Sequence, residues 1–223
     1  MCIRDSLGAL TISVSEFFRD PMAFALIEFK VIPLLVHGAS GKAGRSIRVW
    51  SAGCASGEEA YSMAILLSEA CSHAGEKIDV SIFGTDIDRK GLEVASAGVY
   101  APERVRNVRT GHLQKHFIPS GDHFSVVPDI RGMVSFSGHD LISERGETPA
   151  ESVYGGFDII LCRNVLIYLD RKHQGMVLER LDRALGPGGF LVLGEAESLD
   201  LPMRKRYRQV CDFCRVFHKE RVN

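Results

Sequence analysis

The stretch Ile47-Arg-Val-Trp-Ser-Ala-Gly-Cys-Ala-Ser-Gly-Glu-Glu-Ala-Tyr-Ser62 decides the fold. Ile47–Ser51 reads as a short buried strand, and the small-residue turn Ala52–Gly57 follows it. From Glu58 to Ala74, residues Ala60, Met63, Ala64, Leu66 and Leu67 recur along one side of a helix. Working outward, the same rhythm returns. Val80–Gly84 is a second strand ending in Thr85-Asp-Ile-Asp88, with helix resuming over 89–97. Phe157–Cys162 is a third, running into Arg163-Asn-Val-Leu-Ile-Tyr168 and a helix over Arg171–Leu185. That helix stops at Gly186-Pro-Gly-Gly189, and Phe190–Gly194 reads as a fourth strand. Each crossover is long enough to lay a helix on a parallel sheet. The fold class is therefore α/β: a doubly wound, mostly parallel, Rossmann-like sheet that takes ligands at the carboxyl ends of its strands.

The flanks break the rhythm. Residues 10–36 read as helical, with Ser13 or Ser15 as cap, Glu16 in the first turn, and Pro21 dividing a short helix from a longer one. His37–Arg45 is a loop. Tyr100–Val134 is basic at first (Arg104, Arg106, Arg109), then β-like around Phe117–Ile118 and Phe124–Val127, which suggests a small antiparallel β insertion. Ser143–Gly156 reads as a surface loop, and Arg208–His218 as one or two antiparallel edge strands.

The chain's 223 residues hold 27 Lys plus Arg against 28 Asp plus Glu, a net charge of −1 that gives no general drive toward nucleic acid or anionic membrane. No apolar stretch is read as approaching the roughly 20 residues of a bilayer span. Met1–Ser6 is not followed by the apolar segment of a secretory signal. The six cysteines are then expected as reduced thiols in a cytoplasm. Cys211-x-x-Cys214 with His218 offers three ligand types, but the segment reads as a strand, which would point the two thiols to opposite faces. No metal is expected there, and the histidines show no zinc spacing.

Three features meet at the strand ends. The turn Gly53–Gly57 lacks the pattern of dinucleotide binders, and Glu58 and Glu59 just inside its helix would repel a pyrophosphate. Alone it is as well explained by a tight turn. Asp86, closing the second strand, is placed to hold the two hydroxyls of a ribose; a helix cap by Asp86 or Asp88 is the other reading. Cys162-Arg-Asn-Val-Leu-Ile-Tyr168 puts polar residues directly after a buried strand. Together these describe a nucleoside site without a phosphate grip, which favours S-adenosylmethionine over NAD or ATP.

Trp50–Ser62, Gly84-Thr-Asp-Ile-Asp88 and Phe157–Tyr168 closely resemble the CheR family of chemotaxis receptor methyltransferases, as do Glu16-Phe-Phe-Arg-Asp20 and Leu185-Gly-Pro-Gly-Gly189. The likeness runs from about Leu10 to His218. It implies a class I S-adenosylmethionine-dependent methyltransferase that methylates receptor glutamates and releases S-adenosylhomocysteine. By position, Ser13, Ser15 and Arg19 fall where the family's Asn-x-Thr-x-x-x-Arg element reaches the cofactor, with serines replacing the first two. Glu59 and Asp86 match its acidic cofactor-binding positions, and Gly53 and Asn164 belong to the same matching motifs. Asp140-Leu141 matches an Asn-Leu pair flanking the adenine, and Cys162 and Arg163 match the next cofactor-contacting pair. Arg19 and Tyr168 match residues beside the transferable methyl.

The resemblance divides the chain into an unassigned start (1–9), an N-terminal helical segment and linker (10–45), and a catalytic domain (46–223) with a β-subdomain at about 100–134. It implies a cytoplasmic enzyme, expected to be a monomer, that does not insert into membranes or bind nucleic acid. Its partner is the helical cytoplasmic part of a chemoreceptor. The family's pentapeptide-binding loop corresponds to Phe117–Phe124, short with one glycine, so recognition is expected to be pentapeptide-independent. A cofactor-binding regulatory module, or a related methyltransferase with another protein or small-molecule acceptor, is the alternative.

Overall fold

The computed structural model describes residues 15–39, 46–75, 77–143, 148–149 and 156–220. Its strands in chain order are β1 (Ser46–Ala52), β2 (Asp79–Asp86), β3 (Val99–Tyr100), β4 (Phe117–Ser120), β5 (His123–Val126), β6 (Val134–Gly138), β7 (Phe157–Cys162), β8 (Leu185–Leu193), β9 (Tyr207–Gln209) and β10 (Val216–Lys219). The helices are α1 (Pro21–Leu26), α2 (Ile32–Ala39), α3 (Glu58–Ala74), α4 (Arg89–Ala97), α5 (Thr110–His116), α6 (Pro128–Arg131), α7 (Arg171–Ala184) and α8 (Leu201–Arg204).

Seven strands form one sheet in the order β6-β2-β1-β7-β8-β10-β9. The first five run parallel, and β10 and β9 close one side antiparallel. From β1 the chain winds outward through β2 to β6, then returns to β7 on the other side of β1. That reversal puts the topological switch point, and hence the expected ligand crevice, between the carboxyl ends of β1 and β7. The central strands are buried on both faces, as parallel strands between helices must be: Val49, Trp50, Ile159, Ile160 and Leu161 are all fully inaccessible. Trp50 Nε1 donates to Thr85 Oγ1 at 2.9 Å, satisfying the one polar atom of a buried ring and pinning β1 to β2.

A separate three-stranded antiparallel sheet, β3-β5-β4, forms the insertion and ends at Val126. Val134, read above as part of that insertion, instead opens β6 of the main sheet and pairs with Ile82. Strand β8 also starts earlier than Phe190. Leu185 pairs with Phe157 across a register shift, which draws the Gly186–Gly189 turn into the ladder.

Two other readings need correction. Residues 15–20 are not helical. Phe18 and Asp20 have φ of 52° and 65°, and Pro21 begins α1 instead of interrupting a helix, with Asp20 capping the N–H of Ala23 at 3.2 Å. A π turn, Ile27–Val31, then joins α1 to α2. Pro33 lies just beyond it; in a regular α-helix its ring would crowd the carbonyl of Phe29 and offer it no N–H, a conflict that a widened turn relieves. The whole helical run Pro21–Ala39 is 19 residues long and holds an 18-residue window with a mean hydropathy of 1.6, so a stretch does reach the length and apolarity of a membrane span. Phe24, Ile27, Val31 and Ile32 from it are buried in the main core.

Second, Cys211 and Cys214 lie in the turn between β9 and β10, with Cys214 N–H bonded to the Cys211 carbonyl, and not on a strand. Cys214 is buried and its thiol is pushed up chiefly by that burial. Among the described residues no three His, Cys, Asp or Glu side chains gather as a metal site. Most of the 143–156 loop, the start Met1–Val14 and 40–45 lie outside the described residues.

Candidate active site

The β1 rim is shaped by backbone. Gly53 and Cys54 donate to the Thr85 carbonyl at 2.8 and 2.9 Å, so the turn after β1 is laced to the end of β2. Gly53 has φ of 79°, and a Cβ there would stand 2.4 Å from Val165 Cγ2. Glycine is thus required here by the close approach of the loop after β7 and by the positive φ.

Asp86 ends β2 with both carboxylate oxygens oriented: one accepts from Ala55 N–H at 2.7 Å, the other from Asp88 N–H at 2.9 Å. A carboxylate has about four acceptor sites, so about two remain. Capping of α4 falls to Asp88, which accepts from Lys90 N–H at 3.0 Å. Asp86 is therefore left at the rim.

The two glutamates of α3 part company. Glu58 is fully buried, accepting from Ser56 Oγ and Arg104 Nη1. Glu59 faces the switch point, where Ser51 Oγ donates to it at 2.7 Å and Arg163 Nη1 lies 3.3 Å away. The other arm of Arg163 reaches Asp20 at 3.3 Å, and its guanidinium lies 5.5 Å from the centre of the Phe24 ring. Arg163 is buried, so two carboxylates and an aromatic face compensate a charge removed from water. Asp20 was missed as a site residue; its signal was its place beside Arg19 in the Glu-Phe-Phe-Arg-Asp motif.

The loop after β7 hangs on a second missed residue. Buried Glu197 accepts backbone N–H groups from Asn164 (3.1 Å), Leu166 (2.7 Å), Ile167 (3.3 Å) and Gly194 (2.7 Å). It holds Asn164 at a positive φ of 59° and sets the short 3-10 turn Leu166–Tyr168. Tyr168 is 51% exposed at the end of that turn.

Other expected residues are placed as follows. Leu141 and Cys162 are buried in one cluster with Trp50. Asp140 closes its own turn, accepting from Ile142 N–H at 2.9 Å. Ser15 is half-buried, its carbonyl bonded by Arg104, and Arg19 is exposed. Ser13 lies outside the described residues.

Two buried polar atoms on this rim, Arg163 Nε and His139 Nε2, have no hydrogen-bond partner among the described residues. The His139 N–H donates to the Asp86 carbonyl, and its ring meets Trp50 at 5.7 Å. Burial, then the Arg180 charge, lowers the His139 pKa, so the ring is neutral at pH 7. An oriented carboxylate with spare acceptor sites, a neutral imidazole and no cradle for phosphate suit the sugar diol and base of a nucleoside. The residues present fit S-adenosylmethionine.

The family description "CheR methyltransferase, SAM binding domain" matches residues 13–213. An uncharacterized 104.1 kDa protein of Rhodobacter capsulatus is 38% identical over 85% of this chain, which spans 19% of that protein. A chemotaxis protein methyltransferase of Listeria innocua is 32% identical over 89% of this chain and 70% of its own length. Chemotaxis protein methyltransferase 1 of Pseudomonas aeruginosa is 34% identical over 87% and 69%. Among solved structures, the magnesium protoporphyrin IX methyltransferase of Synechocystis aligns over 90% of this chain and 81% of its own, at 16% identity and a TM-score of 0.44. With five parallel strands, a switch-point rim suited to S-adenosylmethionine and a family match over most of its length, the chain belongs to the CheR methyltransferase family.

Proposed function

We propose that this chain transfers the methyl group of S-adenosylmethionine to glutamate side-chain carboxylates of chemoreceptors, forming the methyl esters of chemotaxis adaptation. The observation that carries the reading is the rim itself: Asp86 held by two backbone N–H groups, facing a switch point that Arg163 ties to Glu59 and Asp20. S-adenosylmethionine, when bound, supplies a methyl group already activated by its sulfonium.

A glutamate acceptor has an ordinary pKa of about 4.3 and is ionised at neutral pH, so the chain needs no general base. Its residues have three tasks: to hold the cofactor, strip water from the acceptor carboxylate, and align the two. In this reading Asp86 grips the ribose, and Leu141, Asp140 and Cys162 line the base. Gly53, Glu59, Arg163 and Asn164 shape the remaining wall. Ser15, and by its position in the motif Ser13, are assigned to the cofactor. Arg19 and Tyr168, both exposed, are assigned to the acceptor side. The enzyme is proposed to act as a cytoplasmic monomer, independent of a receptor pentapeptide and without affinity for nucleic acid.

The test is transfer of radiolabelled methyl to a chemoreceptor cytoplasmic fragment. Label released by mild alkali is expected, because carboxylate esters hydrolyse in base. Alkali-stable label would point to another acceptor atom, and cofactor binding without transfer would overturn the enzyme reading in favour of a regulatory module. Calorimetry of Asp86→Ala should show S-adenosylhomocysteine binding lost, and unchanged affinity would refute the ribose assignment.

A further inference from the structure

The basic run Arg204-Lys-Arg-Tyr-Arg208 does not act as one patch. Arg206 turns inward to Asp182, to which Lys219 is also committed. Arg204 instead lines a cavity of about 250 Å³ together with Arg215, which immediately precedes β10. The cavity floor is apolar, formed by buried Leu199, Tyr207 and Phe217.

Both guanidiniums are anchored the same way. Arg204 Nε donates to the Leu199 carbonyl at 3.0 Å, and Arg215 Nε donates to the Glu195 carbonyl at 3.3 Å. With Nε occupied, their terminal nitrogens are left for a ligand, and among the described residues neither arginine has a carboxylate partner. Asp200, the acid nearest Arg204 in sequence, turns its side chain to cap Met203 N–H. No lining residue is acidic. Two oriented cations over an apolar floor repel each other unless an anion lies between them, and their planar forks match a carboxylate.

The cavity also adjoins the rim. Glu195 and Leu199 flank Glu197, whose carboxylate carries the backbone of the Tyr168 turn. We propose that this cavity seats a carboxylate side chain of the acceptor polypeptide, anchoring an acidic helix while a different glutamate is methylated. The inference rests on the receptor-methylation reading and names how that acceptor is held.

The experiment compares the full chain with Arg204→Gln/Arg215→Gln on a chemoreceptor cytoplasmic fragment. Expected is a rise in KM for the fragment of roughly tenfold or more, with kcat and S-adenosylhomocysteine affinity unchanged. The wild-type KM should rise with salt, and that dependence should flatten in the variant. Arg204→Lys/Arg215→Lys should recover part of the affinity, keeping charge while losing the fork. Unchanged KM and salt dependence would overturn the proposal, as would a parallel loss of kcat and cofactor affinity, which marks a purely structural role. A wild-type chain that leaves the fragment unmethylated sinks the underlying reading, and this one with it, before any variant is made.

Discussion

Cys162 closes β7 with its side chain fully buried, and Cys54 sits buried in the turn after β1. Burial pushes both thiols well above 9.0, reinforced by Glu197 and Glu59 for Cys162 and by Asp86 and Glu59 for Cys54. Neither is a nucleophile at neutral pH, although both border the rim. In the unfolded chain these thiols lose their protons near pH 8.5, whereas the folded chain keeps them. Their contribution to stability is therefore complete below about pH 8.5 and declines as pH rises beyond it. In urea titrations above about pH 8.5 the wild-type decline should become steeper than that of Cys162→Ala, by at most about 1.4 kcal/mol per pH unit. Parallel declines would mean that the folded thiol ionises normally. Asp86 and Asp88 show where single residues become ambiguous in sequence. Either carboxylate could cap α4, and only the direction of the Lys90 N–H separates the cap from the rim residue.

At the scale of elements, the turn after β7 is stiff because one carboxylate collects four N–H donors. Glu197→Ala would leave those donors buried or exposed to intruding water, at a cost of about 3–5 kcal/mol in urea denaturation. Turnover should fall further than cofactor affinity, since the Tyr168 turn is what loosens. A loss below about 1 kcal/mol would show that water replaces the latch freely. In sequence, Gly194-Glu-Ala-Glu197 looks like a solvated acidic loop, because nothing local announces which glutamate turns inward. Strands β1, β2 and β7 were legible because each is a buried run bounded by glycine or carboxylate. Strand β6 was not: Val134-Ser-Phe-Ser-Gly138 is short and alternating, and no helical pattern precedes it strongly enough to announce a crossover. The segment 15–20 escaped for a related reason. Its positive φ angles coincide with ties to distant partners, Phe18 N–H to Ser62 and Asp20 to Arg163, which no local propensity records.

Across the whole molecule, the segment 15–39 is bound to the rest by two unlike sets of contacts. Buried Phe17 meets Tyr100 at 4.9 Å and Phe117 at 5.1 Å, both edge-on, joining the chain's start to the small β sheet. Around it Arg106 pairs with Glu16, and Arg109 with Glu28, in exposed positions. The basic character of 104–109 thus serves attachment of this segment. Phe17→Ala should cost about 3–5 kcal/mol, whereas Arg106→Gln should cost no more than about 1 kcal/mol and less in high salt. Equal effects in urea denaturation would show that the ion pairs, and not the ring, hold the segment.

One consequence follows from the bridge that Arg163 makes to Asp20. The nucleotide-fold half of this protein is not a self-sufficient cassette: its buried guanidinium borrows a counter-charge from a stretch that precedes the first strand by more than twenty positions. Anyone grafting this core onto another specificity module, or permuting its termini, must carry residues 15–39 along. Otherwise the graft would have to replace Arg163 with an uncharged side chain of similar bulk.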